Sequence, residues 1–214
     1  MVRASTHARR DETRGFGGRA AATEARRRDI LDGALECFTR KGFDATTMAD
    51  VHEASGASIG SIYHHFAGKE ELAAALYATG LRDYQEGFLA ELLAHDDAEQ
   101  AVKALVRHHL RWVAAHRDLA AFLLQPRRPD VLLASQAQVG DMNRRLFREV
   151  GEWLGSHSGA VRDLPRDVFY TLLIGPSQEF CRHWLAGRTT TPIQEAAHAL
   201  GQAAWDALKG ADGR

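Results

Sequence analysis

The sequence is poor in staples. Its only cysteines are Cys37 and Cys181, and each sits inside a helical pattern. No CxxC pair and no Cys/His cluster accompanies them. That excludes a disulfide framework and a zinc module, and fits two reduced thiols. There are five prolines, and only Pro176 interrupts an otherwise periodic segment. No apolar run approaches the roughly 18 residues that a membrane-spanning helix needs. The arginine-rich start carries no apolar stretch of the secretory kind, so the expected location is the cytoplasm. Charge of one sign is not in excess either. The formal net charge is −1, so bulk charge names no partner. Sustained apolar–polar alternation with β-branched residues is missing throughout, which leaves an all-α fold.

What is present is size and pattern. The 214 residues suffice for a small domain plus a larger one, and for a sizeable core. Charge is unevenly placed. Eight arginines between Arg3 and Arg28 face only Asp11, Glu12 and Glu24, whereas Asp29 to Gly80 sets Arg40, Lys41 and Lys69 against eight acids. Residues 1–22 show no periodicity and read as a mobile basic arm. Residues 23–68 read as a small helical domain, and residues 69–214 as a larger helical one.

The first stripe is Ile30, Leu31, Ala34, Leu35 and Phe38, on a helix from about Glu24 to Lys41 that Gly42 stops. Thr47 with Asp50 three residues on forms a capping-box pattern, and Gly56 ends that short helix. Ser58 caps another, with Ile62 and Phe66 pointing inward. Two short helices joined at "SGAS" are a helix-turn-helix signature. After the break at Ala67-Gly68, apolar residues recur every four positions from Leu72 to Leu92, giving a helix of about 38 Å. Further stripes run through Val102–Val113, Leu119–Leu124 and Val139–Trp153. Two more follow Pro165 and Pro192, the last with Thr191 as the expected cap. Pro126 and Pro129 are expected to stop the short piece before them, and Pro176 to kink its helix.

In a helix-turn-helix the second helix enters the DNA major groove with its N-terminal residues at base edges. That explains "SIGSIYHHFAGKEEL", Ser58 to Leu72. Gly60 has no Cβ, so backbone and DNA can approach closely, at a helix cost of about 1 kcal/mol against Ala. Ile59 suits a thymine methyl, Ser61 a base edge, Tyr63 and His64 phosphate. Lys69 adds a positive charge beside them.

Ile30 to Leu72 closely resembles the DNA-binding domain of the TetR/AcrR family of bacterial transcriptional regulators. The matching frame is a Gly-aromatic after the first helix, Thr-Thr-apolar, Ala-Ser-Gly-apolar-Ser, Gly-x-Ile-Tyr-x-His-Phe and Lys-Glu-Glu-Leu. The resemblance implies an N-terminal three-helix domain that binds double-stranded operator DNA, and a larger C-terminal helical domain for ligand binding and dimerisation. It implies a ligand-responsive repressor released by a small apolar molecule. "LLIGPSQEFCRHWLAGR", Leu172 to Arg188, resembles the penultimate helix, which with the last one forms the homodimer interface. By the same resemblance the DNA contacts are Thr46, Thr47, Ser58, Ile59, Gly60, Ser61, Tyr63, His64 and Lys69.

A regulator of this kind needs a concave apolar site with a few polar anchors. Phe88, Trp112, Phe122, Met142, Phe147, Tyr170 and Phe180 are the apolar candidates, Arg107 and His109 the polar ones. Ordinary core packing is the alternative for each. Small residues at Gly175, Ser177, Ala196, Ala203 and Ala207 suit close helix approach across a two-fold interface. The histidines are scattered: His108 and His109 point about 100° apart on a helix, which disfavours a shared metal ion. No GxSxG, HExxH or phosphate-loop motif occurs, so neither a cofactor nor a catalytic site is expected. The competing reading is a helical protein-interaction module with no DNA role.

Overall fold

The structure is a computed structural model that describes residues 8–125 and 129–211. Among these residues the chain forms nine α-helices: α1 (Ala8–Lys41), α2 (Met48–Ser55), α3 (Ile59–His65), α4 (Lys69–Leu93), α5 (Ala98–Ala115), α6 (Arg117–Leu124), α7 (Pro129–Ser156), α8 (Arg166–Leu185) and α9 (Ile193–Leu208). The all-α expectation holds, with isolated bridges only, at Ser158–Val161 and Val161–Lys209. The chain divides into two compact units, Met1–Leu76 and Tyr77–Arg214. The packing boundary therefore lies inside α4, beyond the chemical break at Ala67-Gly68.

In the first unit the stripe read from the sequence is the core. Ile30, Leu31, Ala34, Cys37 and Phe38 of α1 are buried, as are Val51, Ala57, Ile62 and Phe66. Phe43 folds back onto Phe38, with ring centroids 5.4 Å apart. Helices α1 and α2 pack closely because Gly33 leaves room: a Cβ there would lie 2.8 Å from the Ser55 nitrogen. One expectation changes. Helix α1 begins at Ala8, so the segment read as an irregular arm is helical from there, while residues 1–7 lie outside the described residues. Ala20, Ala21 and Ala22 are exposed and carry no apolar face. Periodicity therefore missed them. Their helix propensity is high, and adding turns to an existing helix is far easier than starting one.

The second unit is built around α5, which packs against α9 and α8. Val102, Leu105, Val106 and Leu110 of α5 are fully enclosed, with Leu173 and Cys181 of α8 and Leu208 of α9. Val150 and Trp153 of α7 join the same core. The prolines behave partly as expected. Pro129 opens α7, where its missing N–H is harmless. Pro165 and Pro192 occupy the cap positions of α8 and α9, and neither helix start has a side-chain cap bond, so Thr191 does not cap. Helix α8 runs on through Pro176. Among the small residues proposed for an intermolecular face, Ser177 and Ala196 are buried within the chain itself. They serve packing inside the protomer. Ala203 remains exposed.

Candidate nucleic-acid interface and C-terminal cavity

Two caps and a left-handed glycine set the helix-turn-helix. Thr47 Oγ1 accepts from the Asp50 N–H, and the Asp50 carboxylate accepts from the Thr47 N–H at 2.8 Å. Lys41 donates to the other Asp50 oxygen at 2.6 Å. These bonds hold the Asp50 carboxyl well below the usual carboxylate range, the Lys41 bond foremost. Gly56 then ends α2 at φ 64°, and its N–H donates to the His52 carbonyl. A side chain at that φ would be strained, so the tight turn selects glycine. Ser58 Oγ accepts from the Ser61 N–H at 3.2 Å and starts α3.

Helix α3 buries Ile62 and seats Phe66 after its end. Its other face is open. Ile59 is 40% exposed and Tyr63 52%. Ser58, Gly60 and His64 are exposed and Ser61 is half-buried. Apart from its chain neighbours and its own helix backbone, no atom of the described residues lies within 4 Å of where a Gly60 Cβ would stand. Thr47 is exposed too, with its hydroxyl engaged in the cap. Two expected contacts are placed differently. Thr46 is 1% exposed and its hydroxyl donates to the Gly42 carbonyl at 2.7 Å, so its side chain braces the α1–α2 turn. Lys69 turns its ammonium onto the same turn, donating to the carbonyls of Phe43, Asp44 and Thr46 at 3.0, 3.1 and 3.3 Å. It also lies over the Phe43 ring, 4.7 Å from the centroid. Three carbonyls of the turn between α1 and α2 draw the cation in, which sequence spacing cannot reveal.

The second unit holds a cavity of about 200 Å³ between α4, α5, α6 and α8. Its walls are Tyr77, Leu81, Tyr84, His109, Trp112, Val113, Ala120, Leu123, Leu124, Ile174 and Gln178, none of them Asp, Glu, Lys or Arg. A second cavity, of about 350 Å³, shares Tyr84, Ile174 and Gln178 and adds Phe88, Leu146, Tyr170, Thr171 and Gly175. Tyr84 is clamped by two neighbouring histidines. Its backbone carbonyl lies 3.1 Å from His108 Nε2, and its hydroxyl 3.0 Å from His109 Nδ1. Trp112 meets the same ring edge-on at 5.4 Å and donates its Nε1–H to Asp83 at 2.7 Å. Burial, then the neighbouring His108, lowers His109 to about 4, and burial pushes the Tyr84 phenol upward. Both are uncharged at neutral pH.

The ligand candidates thus separate. His109 and Trp112 wall the first cavity, Phe88 and Tyr170 the second. Met142 lines a different depression with Arg82, Gln85, Glu86, Leu89 and Arg145. Phe122 and Phe180 are half-buried but outside both walls. Phe147 is exposed, with its ring against Tyr170 at 5.3 Å. Arg107 is exposed, because it shares the solvent face of α5 with Arg111, one turn on. Sequence reading missed Tyr84, which looked like one more rung of the α4 stripe, and Gln178.

Residues 30–76 match the family profile described as bacterial regulatory proteins, tetR family. The HTH-type transcriptional repressor AcnR of Corynebacterium diphtheriae is 30% identical over 174 residues, covering 79% of this chain and 86% of that protein. The chain belongs to the TetR family. It is a DNA-binding transcriptional regulator, not a bare helical interaction module. Solved TetR-type structures share the fold. A TetR family regulator from Marinobacter aquaeolei VT8 aligns with TM-score 0.71 at 17% identity, over 89% of this chain and 99% of that one. FadR from Bacillus subtilis, in complex with stearoyl-CoA, aligns with TM-score 0.69 at 15% identity, over 82% and 96%. As a TetR family member the chain carries its matched profile on α1 to α4, the segment that holds the open face of α3. No helix among the described residues is long and apolar enough to cross a membrane.

Proposed function

We propose that this regulator is a cytoplasmic repressor that grips a two-fold operator with α3 of each protomer and lets go when a small, largely apolar molecule fills the cavity beside Tyr84. One observation carries the DNA half of this reading. Gly60 stands on the exposed face of a capped helix, and nothing in the protein's own packing demands a glycine there. Close approach to a duplex supplies the reason. Ser58, Ile59, Ser61, Tyr63 and His64 flank it, with Thr47 at the start of α2. The naming of AcnR as a repressor supports repression over activation.

The dimer is proposed to form through α8 and α9, whose outer faces leave Val168 and Ala203 exposed. It would place the two α3 helices in successive major grooves, about 34–36 Å apart. Arginines of the first 22 residues are proposed to supply phosphate charge that the acidic segment after them lacks. An effector shifts the regulator only so far as it prefers one conformation. The stearoyl-CoA held by Bacillus subtilis FadR supports a largely apolar effector for a cavity of this fold.

The test is titration of the purified protein against duplex from upstream of its own gene, at two salt concentrations, with a scrambled duplex as control. Preference for the upstream duplex that persists at the higher salt is expected. Equal binding to both duplexes would overturn sequence-selective recognition through α3.

A further inference from the structure

The second cavity, of about 350 Å³, keeps unspent polar groups at the two ends of its α8 wall. Tyr170 stands at one end and Gln178 at the other, and both are half-buried. Among the described residues neither the Tyr170 hydroxyl nor the Gln178 amide has a hydrogen-bond partner. Two other polar side chains of the same wall are engaged inside the protein. The Tyr84 hydroxyl lies 3.0 Å from His109 Nδ1, and Thr171 Oγ1 donates to the Asp167 carbonyl at 2.7 Å.

Between the two free groups the wall is apolar. Ile174 and Gly175 separate them on α8, and Phe88 and Leu146 face the same space from α4 and α7. At 1.5 Å per residue, Tyr170 and Gln178 stand about 12 Å apart along α8. Each can both donate and accept, a phenol through its hydroxyl and an amide through its NH₂ and carbonyl. Water can satisfy either one. Their spacing along one apolar wall is the feature that a single bound molecule could use.

Charge sets the second constraint. No Asp, Glu, Lys or Arg lines this cavity. Burial pushes the Tyr170 phenol up to about 12, against the lowering pull of Arg166 from outside the wall, so the group is uncharged at neutral pH. An ionised ligand group there would lose its water without gaining a counter-ion, which costs far more than burying a neutral one that is hydrogen-bonded.

We propose that the effector is an elongated, uncharged, largely apolar molecule with two hydroxyl or carbonyl groups about 12 Å apart, one bonded to Tyr170 and the other to Gln178. This rests on the effector-cavity reading above and narrows it to a ligand class. Size is compatible, since a dry cavity of about 150 Å³ already admits benzene, and a two-ring molecule needs about twice that.

The experiment titrates the purified protein by calorimetry with four stilbenes: 4,4′-dihydroxystilbene, its isomer 3,5-dihydroxystilbene, 4-hydroxystilbene, and 4′-hydroxystilbene-4-carboxylate. The oxygens of the 4,4′ isomer match the required separation, whereas both hydroxyls of the 3,5 isomer sit on one ring. The 4,4′ isomer is expected to bind about fivefold more tightly than the 3,5 isomer or the monohydroxy compound, the usual worth of one extra hydrogen bond. The carboxylate should bind more weakly than all three. Tyr170→Phe and Gln178→Leu should each weaken the 4,4′ isomer about fivefold. Each should leave 4-hydroxystilbene nearly unchanged, because its single hydroxyl can turn to the end that remains. The isomer comparison on the wild-type protein stands even where a variant misfolds. Equal or tighter binding of the 3,5 isomer overturns the two-ended assignment and leaves the cavity reading standing. Tighter binding of the carboxylate overturns the uncharged class in favour of an anion. Undiminished affinity for the 4,4′ isomer in both variants overturns the choice of residues. Failure of all four stilbenes overturns this inference, and the cavity reading falls with it only if 1-octanol, a flexible apolar probe, also fails to bind.

Discussion

The ammonium of Lys69, at the first position of α4, lies 3.0 Å from the carbonyl oxygen of Phe43, beyond the end of α1. Two further carbonyls of the same turn complete its donor set. Lys69 therefore fastens the start of α4 to the α1–α2 turn, and Thr46 braces that turn from inside. Lys69→Met should lower stability by about 1–2 kcal/mol in urea denaturation, because hydrogen bonds from a charged donor are lost. The slope of operator affinity against salt should barely change. A drop of about one in that slope would show the ammonium on phosphate instead.

Gly60 makes opposite demands of fold and function. Gly60→Ala has open space around the new methyl and relieves a poor helix former. It should raise stability by about 0.5–1 kcal/mol. The same methyl stands where the duplex backbone or base edges must come close, so operator affinity should fall at least tenfold. Calorimetric melting paired with operator binding checks both directions, and a variant that gains stability without losing affinity removes the close-approach argument.

Deletion of residues 1–22 should reduce the salt dependence of operator binding, since each phosphate-bound arginine contributes close to one unit of slope. Far-ultraviolet dichroism should also lose helical signal, because α1 extends back to Ala8. An unaltered salt slope assigns the arginines no part in phosphate binding.

Acid should loosen the second unit. Burial depresses His109 from 6.5 to about 4. Between those values the unfolded chain binds the proton and the folded one does not, so stability is full above pH 6.5 and is lost as pH falls toward 4. The loss amounts to on the order of 3 kcal/mol. His108, depressed by burial as well, adds loss of the same sign. Chemical denaturation at pH 7 and pH 5 measures the drop, and His109→Gln should make it shallower.

The DNA-binding unit could be read from the chain because its determinants are local. Thr47 with Asp50, Gly56, and Ser58 with Ser61 are caps and turns set by residues a few positions apart, and helix chemistry fixes them whatever surrounds them. The stripe of α1 needed only its 3.6-residue period. The helix before Glu24 escaped that reading at Ala20 to Ala22, which are exposed and so had no reason to alternate.

The cavity was decided elsewhere. Tyr84 and His109 are 25 residues apart and on different helices, yet one hydrogen bond joins them. The period of α5 puts His109 on the apolar stripe and Arg107, two residues earlier, on the solvent side. That the stripe brings His109 against Tyr84 comes from how α5 is surrounded. Periodicity states which side of a helix is apolar, but only the packed neighbours decide whether a polar atom is satisfied, left without a partner, or drawn like the Lys69 ammonium onto the turn between two other helices.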